Sequence, residues 1–492
     1  MSDVQFSLIG FFILALWGFF ALRGVSSAVR FTLLMIPLGA TSVIELPDSG
    51  MSLIALQVTA ALTTGFAFLF SYGGQRQTSS SGLRTSVVLM GTLCVYGAIS
   101  AFFFPRLFYD KVLVVPYAGT YDGQRVSEAF STTIVPLAPV SSNISQPAYL
   151  AASFGFYMVL LWIGRIRGAK LLSDAILMAA VVNIAFGVLD YFRLDMFLEY
   201  FRTADYAIFT DTGIMGADRL IGGFPEPAAF GATSITFAAY GLSRFIDRND
   251  RVACAIGLIS ALFGMLALST TAIFGAAIMI IWLFARIAQD VYYGSNGKRG
   301  AMILLASSIV SGFLIVGLSF TPFPDYVMEM LNTLVFSKAD SSSGLERGFW
   351  AASGFKVFFE TYGLGAGLGS VRSNGLLPVI LANVGLIGLV LFLGFLWAVF
   401  LKKLPKVLPA SSPAVEAKSL FRAASAGAFV NLAMAAVSGV LVDPGITFFT
   451  FAAIAVIARD EIAATILRPK PRISAGRAGP TGAADHVSAR TA

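Results

Sequence analysis

The sequence predicts an all-α polytopic membrane protein with about 12–13 transmembrane helices and a large outer (periplasmic) loop. Three observations carry this expectation. The 492 residues are 57% hydrophobic and only 12% charged, against about 25% charged for a soluble domain. Apolar runs recur along nearly the whole chain, close to the roughly 20 residues that a bilayer requires of a spanning helix. Arg and Lys gather in alternate short loops between those runs, as expected for the cytoplasmic side of a membrane. Length here counts spans, not globular domains.

Taken in order, the expected spans are 5–21, 31–46, 51–72, 85–104, 148–164, 171–190, 227–243, 252–268, 271–287, 301–320, 376–400, 423–441 and 446–458. The start, "MSDVQFSLIGFF", has an Asp and no basic region, so it reads as the first membrane helix, not a cleaved signal. Arg23/Arg30, Arg76/Arg84, Arg165/Arg167/Lys170, Arg244/Arg248/Arg251, Arg286/Lys298/Arg299 and Lys402/Lys403/Lys406/Lys418/Arg422 fall on one side if there are thirteen spans. That places the N-terminus outside and the C-terminus in the cytoplasm.

The organisation follows. Residues 1–214 are N-terminal helices with an outer loop at about 105–147. Residues 215–400 form a core that includes an outer loop at about 321–375. Residues 401–458 hold the last helices, and 459–492 a disordered basic cytoplasmic tail, "RPKPRISAGRAGPTGAADHVSARTA" after Leu467. The basic balance is accounted for by membrane sidedness and implies no nucleic acid. Cys94 and Cys254 both lie in apolar runs, which argues against a disulfide framework. His486, in the tail, is the only histidine, so the membrane body has no His base and no His-ligated metal site.

The predicted spans are nearly free of charge, which disfavours an ion-coupled transporter with ionisable groups at the midplane. Charge concentrates in outer loops, where a substrate with a polar head and a lipid tail would lie. Two segments carry it. In "ADRLIGGFPEPAAFGATS" (217–234), Arg219 precedes a Gly-Gly-Phe turn, and Pro227 suits the first turn of a helix. Glu226 then sits at that helix N-terminus, which favours a carboxylate. The bland alternative is a helix cap beside an arginine that snorkels to lipid headgroups.

In "SGLERGFWAASGFKVFFETYGLGAGLGSVRSNGLL" (343–377), Leu345, Phe349, Ala352, Phe355 and Phe359 recur at helical spacing, predicting an interfacial helix with Arg347 off its apolar stripe. Gly363, Gly365, Gly367 and Gly369 then forbid helix and let N–H groups approach an anion. Arg372, Ser373 and Asn374 precede the next span, whose N-terminus adds positive potential. The expectation is a diphosphate cradle from Gly365, Gly367, Gly369, Arg372 and Asn374. The alternative is that the glycines permit close packing. The Asp443-Pro444-Gly445 turn reads mainly as a structural feature.

At these two segments the chain resembles the O-antigen ligase / Wzy-type polysaccharide polymerase family of bacterial inner membranes. The resemblance lies in order: Arg219 and "GGFPEP", the hairpin "LALSTTAIFGA" (266–276), then "LERGFWAASGFKVFFETYGLGAGLGS" and "RSNGLLPVILANVGLIGLVLF", over about 215–400. It implies a metal- and nucleotide-independent glycosyltransferase without cofactors. The partners implied are an undecaprenyl-diphosphate-linked oligosaccharide, the lipid bilayer, and chain-length regulator and flippase proteins.

By the resemblance, Arg219 and Arg347 hold the diphosphate and stabilise the leaving oxygen, with Arg372 third. Ser373 stands where lipid A ligases carry histidine, and Ser269-Thr270-Thr271-Ala272 where many relatives carry arginine. Glu226 or Glu346 is then the candidate base, needing to lie within about 3 Å of the acceptor hydroxyl. The expected activity is polymerisation of an exopolysaccharide or O-antigen. The alternatives are a glycan ligase to lipid A or protein, and a flippase for the same lipid-linked glycan.

Overall fold

The chain is dominated by helices that follow the apolar runs. The computed structural model describes residues 5–46, 51–71, 81–116, 120–121, 124–125, 133–204, 218–292, 328–329, 332–338, 341–402 and 412–467. In chain order the helices are α1 (Leu8–Leu22), α2 (Val25–Leu34), α3 (Ala55–Ser71), α4 (Ser81–Leu107), α5 (Ser142–Arg167), α6 (Ala169–Tyr191) and the short α7 (Asp195–Leu198). They continue with α8 (Pro227–Arg248), α9 (Arg251–Leu266), α10 (Thr270–Tyr292), α11 (Ser342–Glu360), α12 (Leu376–Leu396), α13 (Ser412–Ser438) and α14 (Gly445–Leu467). Among the described residues, six helices are long and apolar enough to cross a membrane: α4, α5, α6, α10, α12 and α13.

Every expected span among the described residues but one falls mostly on a helix, although 5–21 and 51–72 begin on strands, at Gln5–Phe6 and Met51–Ile54. The expected span 301–320 and residues 468–492 lie outside the described residues, the outer loop 321–375 is described only in pieces, and 459–467, expected in the disordered tail, continue α14. The exception is 31–46. Helix α2 ends at Leu34, and Met35–Thr41 turn before strand β2 (Ser42–Leu46). Pro37 has no N–H to continue the helix, and Gly39 follows it. β2 pairs antiparallel with β1 (Gln5–Phe6) and β3 (Met51–Ile54), with Glu45 opposite Gln5 and Ser52. The all-α expectation therefore takes a small three-stranded sheet as an addition.

The core sits around α14. Phe448, Phe449, Phe451, Ala452, Ile454 and Val456 are all fully buried. A helix that is apolar on every side belongs inside a bundle. α5, α6 and α13 surround it. α8 lies against α9 and α13. The α8–α9 crossing is tight: a Cβ on Gly241 would meet the Ala253 carbonyl at 2.5 Å. Small residues at helix crossings let backbones approach closely in membrane bundles.

The two ends of α8 define the two ends of the molecule. With 22 residues it spans roughly 33 Å, close to the hydrocarbon thickness of a bilayer. Its first turn adjoins the loop that carries Arg219. Its last turn carries Asp247, which pairs with Arg286 and, at 3.2 Å, with Arg422; Arg422 also reaches Asp290 at 3.0 Å. These charges tie α8, α10 and α13 together at the end away from Arg219.

Candidate functional site

Residues 218–226 form a strap across the end of the bundle, and its anchors are specific. The Leu220 N–H points to the Leu266 carbonyl at the end of α9. The Ile221 and Gly222 N–H groups donate to one Asp190 oxygen at 2.7 and 2.9 Å. The Gly223 carbonyl accepts from Ala40 at 2.8 Å. Phe224 packs over Gly39, and Phe230 over Gly222. The Gly-Gly-Phe turn is thus clamped by α6, α9 and the turn after α2. Pro227 occupies the first turn of α8, with Glu226 at its N-cap in extended backbone, as the sequence predicts. The Glu226 carboxylate caps no N–H of that helix and stays available for other partners.

Arg219 leaves this strap half-buried, with its Nε 3.4 Å from the Ala267 carbonyl. Burial lowers its pKa from the ordinary arginine value; the charge of Glu226 opposes that shift and the charge of Arg347 adds to it. Arg347, from α11, therefore lies within electrostatic reach of Arg219 although it belongs to a distant part of the chain. Neither arginine makes an ion pair among the described residues. Next to Arg347, one carboxylate oxygen of Glu346 is buried and has no hydrogen-bond partner.

Helix α11 forms where the spacing predicts it, and its two faces differ. Ser341 caps it by accepting from Gly344 at 3.2 Å. Trp350, Gly354, Val357 and Thr361 face the protein and are buried. The predicted apolar stripe faces outward: Leu345 is 63% and Phe359 72% exposed. The buried face runs along the first half of α12, with Gly354 against the Pro378 carbonyl and Leu364 against Gly385, so α11 lies beside a helix long enough to span and not flat at its end, where an interfacial helix would lie. Arg347 stands three residues before Trp350, one helical turn along the protein-facing side. The Arg372 guanidinium stacks over the Trp350 ring, 4.2 Å from its centroid, a cation–π contact that orients it.

The glycine run has a different role from the expected cradle. Gly363, Gly365, Gly367 and Gly369 all have positive φ, between 79° and 102°. The segment enters a break in α12, where Gly385 leaves helical geometry at φ 61°. Ala366 and Gly367 donate to the freed carbonyls of Ala382 and Asn383 at 2.7 and 3.0 Å, and Leu386 donates to the Gly363 carbonyl at 2.9 Å. The Asn383 side chain accepts from Gly369 and Val371 and donates to the carbonyls of Val371 and Val379.

Every N–H from Gly363 to Arg372 is bonded within the protein. Gly365, Gly367 and Gly369 thus offer no N–H to an anion; they let irregular backbone pass between α4, α5 and α12. Such backbone at helix depth requires internal satisfaction of this kind. One N–H of Asn374 is likewise committed, donating to the Val437 carbonyl at 2.8 Å. Ser373 is fully buried and donates to the Trp350 carbonyl.

The structure brings Arg219, Glu226 and Arg347 together, places Glu346 beside Arg347, and holds Arg372 on Trp350. It keeps the glycines as scaffold and ties one N–H of Asn374 to the Val437 carbonyl. Sequence reading missed Asp190, Trp350 and Asn383 as organising residues. Trp350 carried a signal, its one-turn spacing from Arg347. Asp190 and Asn383 carried none, because the fold brings their partners to them: Arg202 and the Ile221 and Gly222 N–H groups to Asp190, and the Gly369 and Val371 backbone to Asn383. Asp443 was read as a structural turn, and there it accepts from Ser153 of α5 at 2.6 Å and from the Gly445 N–H at 2.8 Å. Burial raises its carboxyl to about 6, against the lowering effect of those two bonds. Among the described residues no group of acidic, histidine and cysteine side chains could hold a metal. No protein-family model matches the chain, and no curated protein matches its sequence.

Proposed function

We propose that this protein is a polymerase of an exopolysaccharide or O-antigen, acting at the outer face of the bacterial inner membrane. In this reading the chain crosses the membrane thirteen times, with its N-terminus outside and its C-terminus in the cytoplasm. A glycan on undecaprenyl diphosphate is moved onto a hydroxyl of the next lipid-linked repeat unit. The observation that carries the reading is the approach of two half-buried guanidiniums, Arg219 and Arg347, with Glu226 opposing them. Guanidiniums bind diphosphate oxygens bidentately, and two on one face can share such a group.

The chemistry then balances as follows. The acceptor oxygen forms a bond to the anomeric carbon as the bond from that carbon to the diphosphate oxygen breaks. The electron pair leaves with undecaprenyl diphosphate, whose added charge Arg219 and Arg347 stabilise. Glu226 or Glu346 takes the acceptor proton; an arginine cannot, because it stays protonated at ordinary pH. Arg372, fixed by Trp350, adds positive charge at the edge of the site. Ser373, buried and bonded to Trp350, offers no base where the resembled ligases have histidine, which favours polymerase over ligase.

The test uses purified protein with a synthetic lipid-diphosphate repeat unit. Wild type should yield a ladder of polymer, and the Arg219→Ala and Arg347→Ala variants almost only the single unit, with short products at a slow residual rate, while both remain inserted. Polymer of normal length from both variants would sink the mechanism. In cells, accumulation of long chains on the lipid carrier in a deletion strain would point to a ligase instead.

A further inference from the structure

We propose that Asp190, at the end of α6, is a positioning residue for the diphosphate site: together with Arg202 it sets the place of the Arg219 guanidinium. This rests on the reading of Arg219 as a diphosphate-binding group. The Asp190 carboxylate is used on both oxygens. One accepts the Ile221 and Gly222 N–H groups at 2.7 and 2.9 Å. The other accepts from Arg202 at 2.6 Å. Arg202 in turn donates through Nε and a terminal nitrogen to the Gly222 carbonyl at 3.0 and 2.8 Å. The two side chains are only 11% and 7% exposed.

The result is a closed ring of charge-assisted bonds around the peptide groups two and three residues after Arg219. Such bonds are roughly twice as strong as neutral ones. On its other side Arg219 meets the Ala267 carbonyl, and Asp218 pairs with Arg193 next to α6. The strap is therefore fixed at a point where backbone drift would move the guanidinium directly. Displacement of a catalytic group by about 1 Å costs on the order of 10²-fold in rate. A carboxylate serves because only an ionised acceptor can take two N–H groups and a guanidinium at once.

The experiment has two readouts on the full-length protein in detergent. The first is the rate of labelling of Arg219 by phenylglyoxal, read by mass spectrometry with Arg347 as internal reference; it needs no activity. The second is the rate of polymer formation in a double-mutant cycle of Asp190→Ala and Arg219→Ala. Asp190→Ala should raise Arg219 labelling several-fold, leave Arg347 labelling within twofold, and slow polymerisation about 10²-fold. In the Arg219→Ala background the same change should slow it little further. Asp190→Asn keeps an oxygen for the two N–H groups and should fall between, which covers the case in which the alanine variant fails to fold. Unchanged Arg219 labelling in both variants would overturn the inference, as would equal slowing by Asp190→Ala with and without Arg219. A wild type that makes no polymer, with Arg219 labelling still dependent on Asp190, would overturn the proposed function and leave the positioning role standing.

Discussion

A half-buried arginine that feels a second arginine depends on a nearby carboxylate, and for Arg219 that is Glu226, whose effect exceeds that of Arg347. Arg219 is in that position, and its retained bond to Ala267 shows how its fork is divided: Nε faces the protein, and the terminal nitrogens remain for a ligand. Arg219→Lys keeps the charge but loses this division. The expected result is a fall in polymerisation of about 10²-fold or more, as for loss of one group that stabilises an oxyanion. Near-wild-type rates would show that charge alone suffices. Asp443 gives a second prediction at this scale. Its folded-state carboxyl is raised from 3.8 to about 6. A raised acid holds its proton more tightly when folded, so its contribution to stability is present below about pH 4 and is lost as pH rises through about 6. Asp443→Asn removes that loss while an amide can still bond Ser153 and Gly445. The variant's unfolding midpoint in detergent should therefore gain on wild type between pH of about 4 and 7. A difference that stays constant with pH, or moves the other way, refutes it.

At the scale of elements, the meeting of the glycine loop with the broken helix α12 is the part least legible in the sequence. "GLGAGLGS" reads equally as an anion cradle or as a packing device. The choice depends on Asn383 and Gly385, which sit inside an apolar run and read there as ordinary span residues. By contrast, the existence of α11 was legible, because its apolar stripe repeats at helical spacing. The turn at Pro37 was legible too but was outweighed by the apolar run around it. Asn383→Ala should remove four hydrogen bonds and orphan the Gly369 and Val371 N–H groups. Each orphaned buried group costs about 1–3 kcal/mol, so a loss of about 3 kcal/mol or more is expected. Thermal unfolding in detergent measures it. Asn383→Asp, which keeps the acceptor for both N–H groups, should lose less.

At the scale of the molecule, the charged residues divide between two ends held apart by the length of α8. One end carries Arg219, Glu226, Arg347 and Arg372. The other carries Asp247, Asp290, Arg286 and Arg422 in paired form. The pairing explains why arginines that loop composition assigns to the cytoplasm serve as structural ties there, whereas Arg219 and Arg347 lack such pairs among the described residues. Asp247→Asn leaves two partly buried guanidiniums short of a partner, and removing one member of a buried pair costs about 3–5 kcal/mol. Polymer synthesis per folded molecule should be unchanged, since the tie lies a helix length from the site.

The same division sets the orientation test. Gly348, beside Arg347 on α11, is exposed with open space around its Cβ position, and Lys170, at the start of α6, is exposed at the other end. In a background with Cys94 and Cys254 replaced, Gly348→Cys should react with a membrane-impermeant maleimide on spheroplasts. Lys170→Cys should react only after lysis. Reaction of both on intact spheroplasts would mean that α5 and α6 do not cross the membrane. The reverse pattern would put the arginine site in the cytoplasm. There a diphosphate carrier displayed on the outer face could not reach Arg219, and the polymerase reading would fail on topology alone.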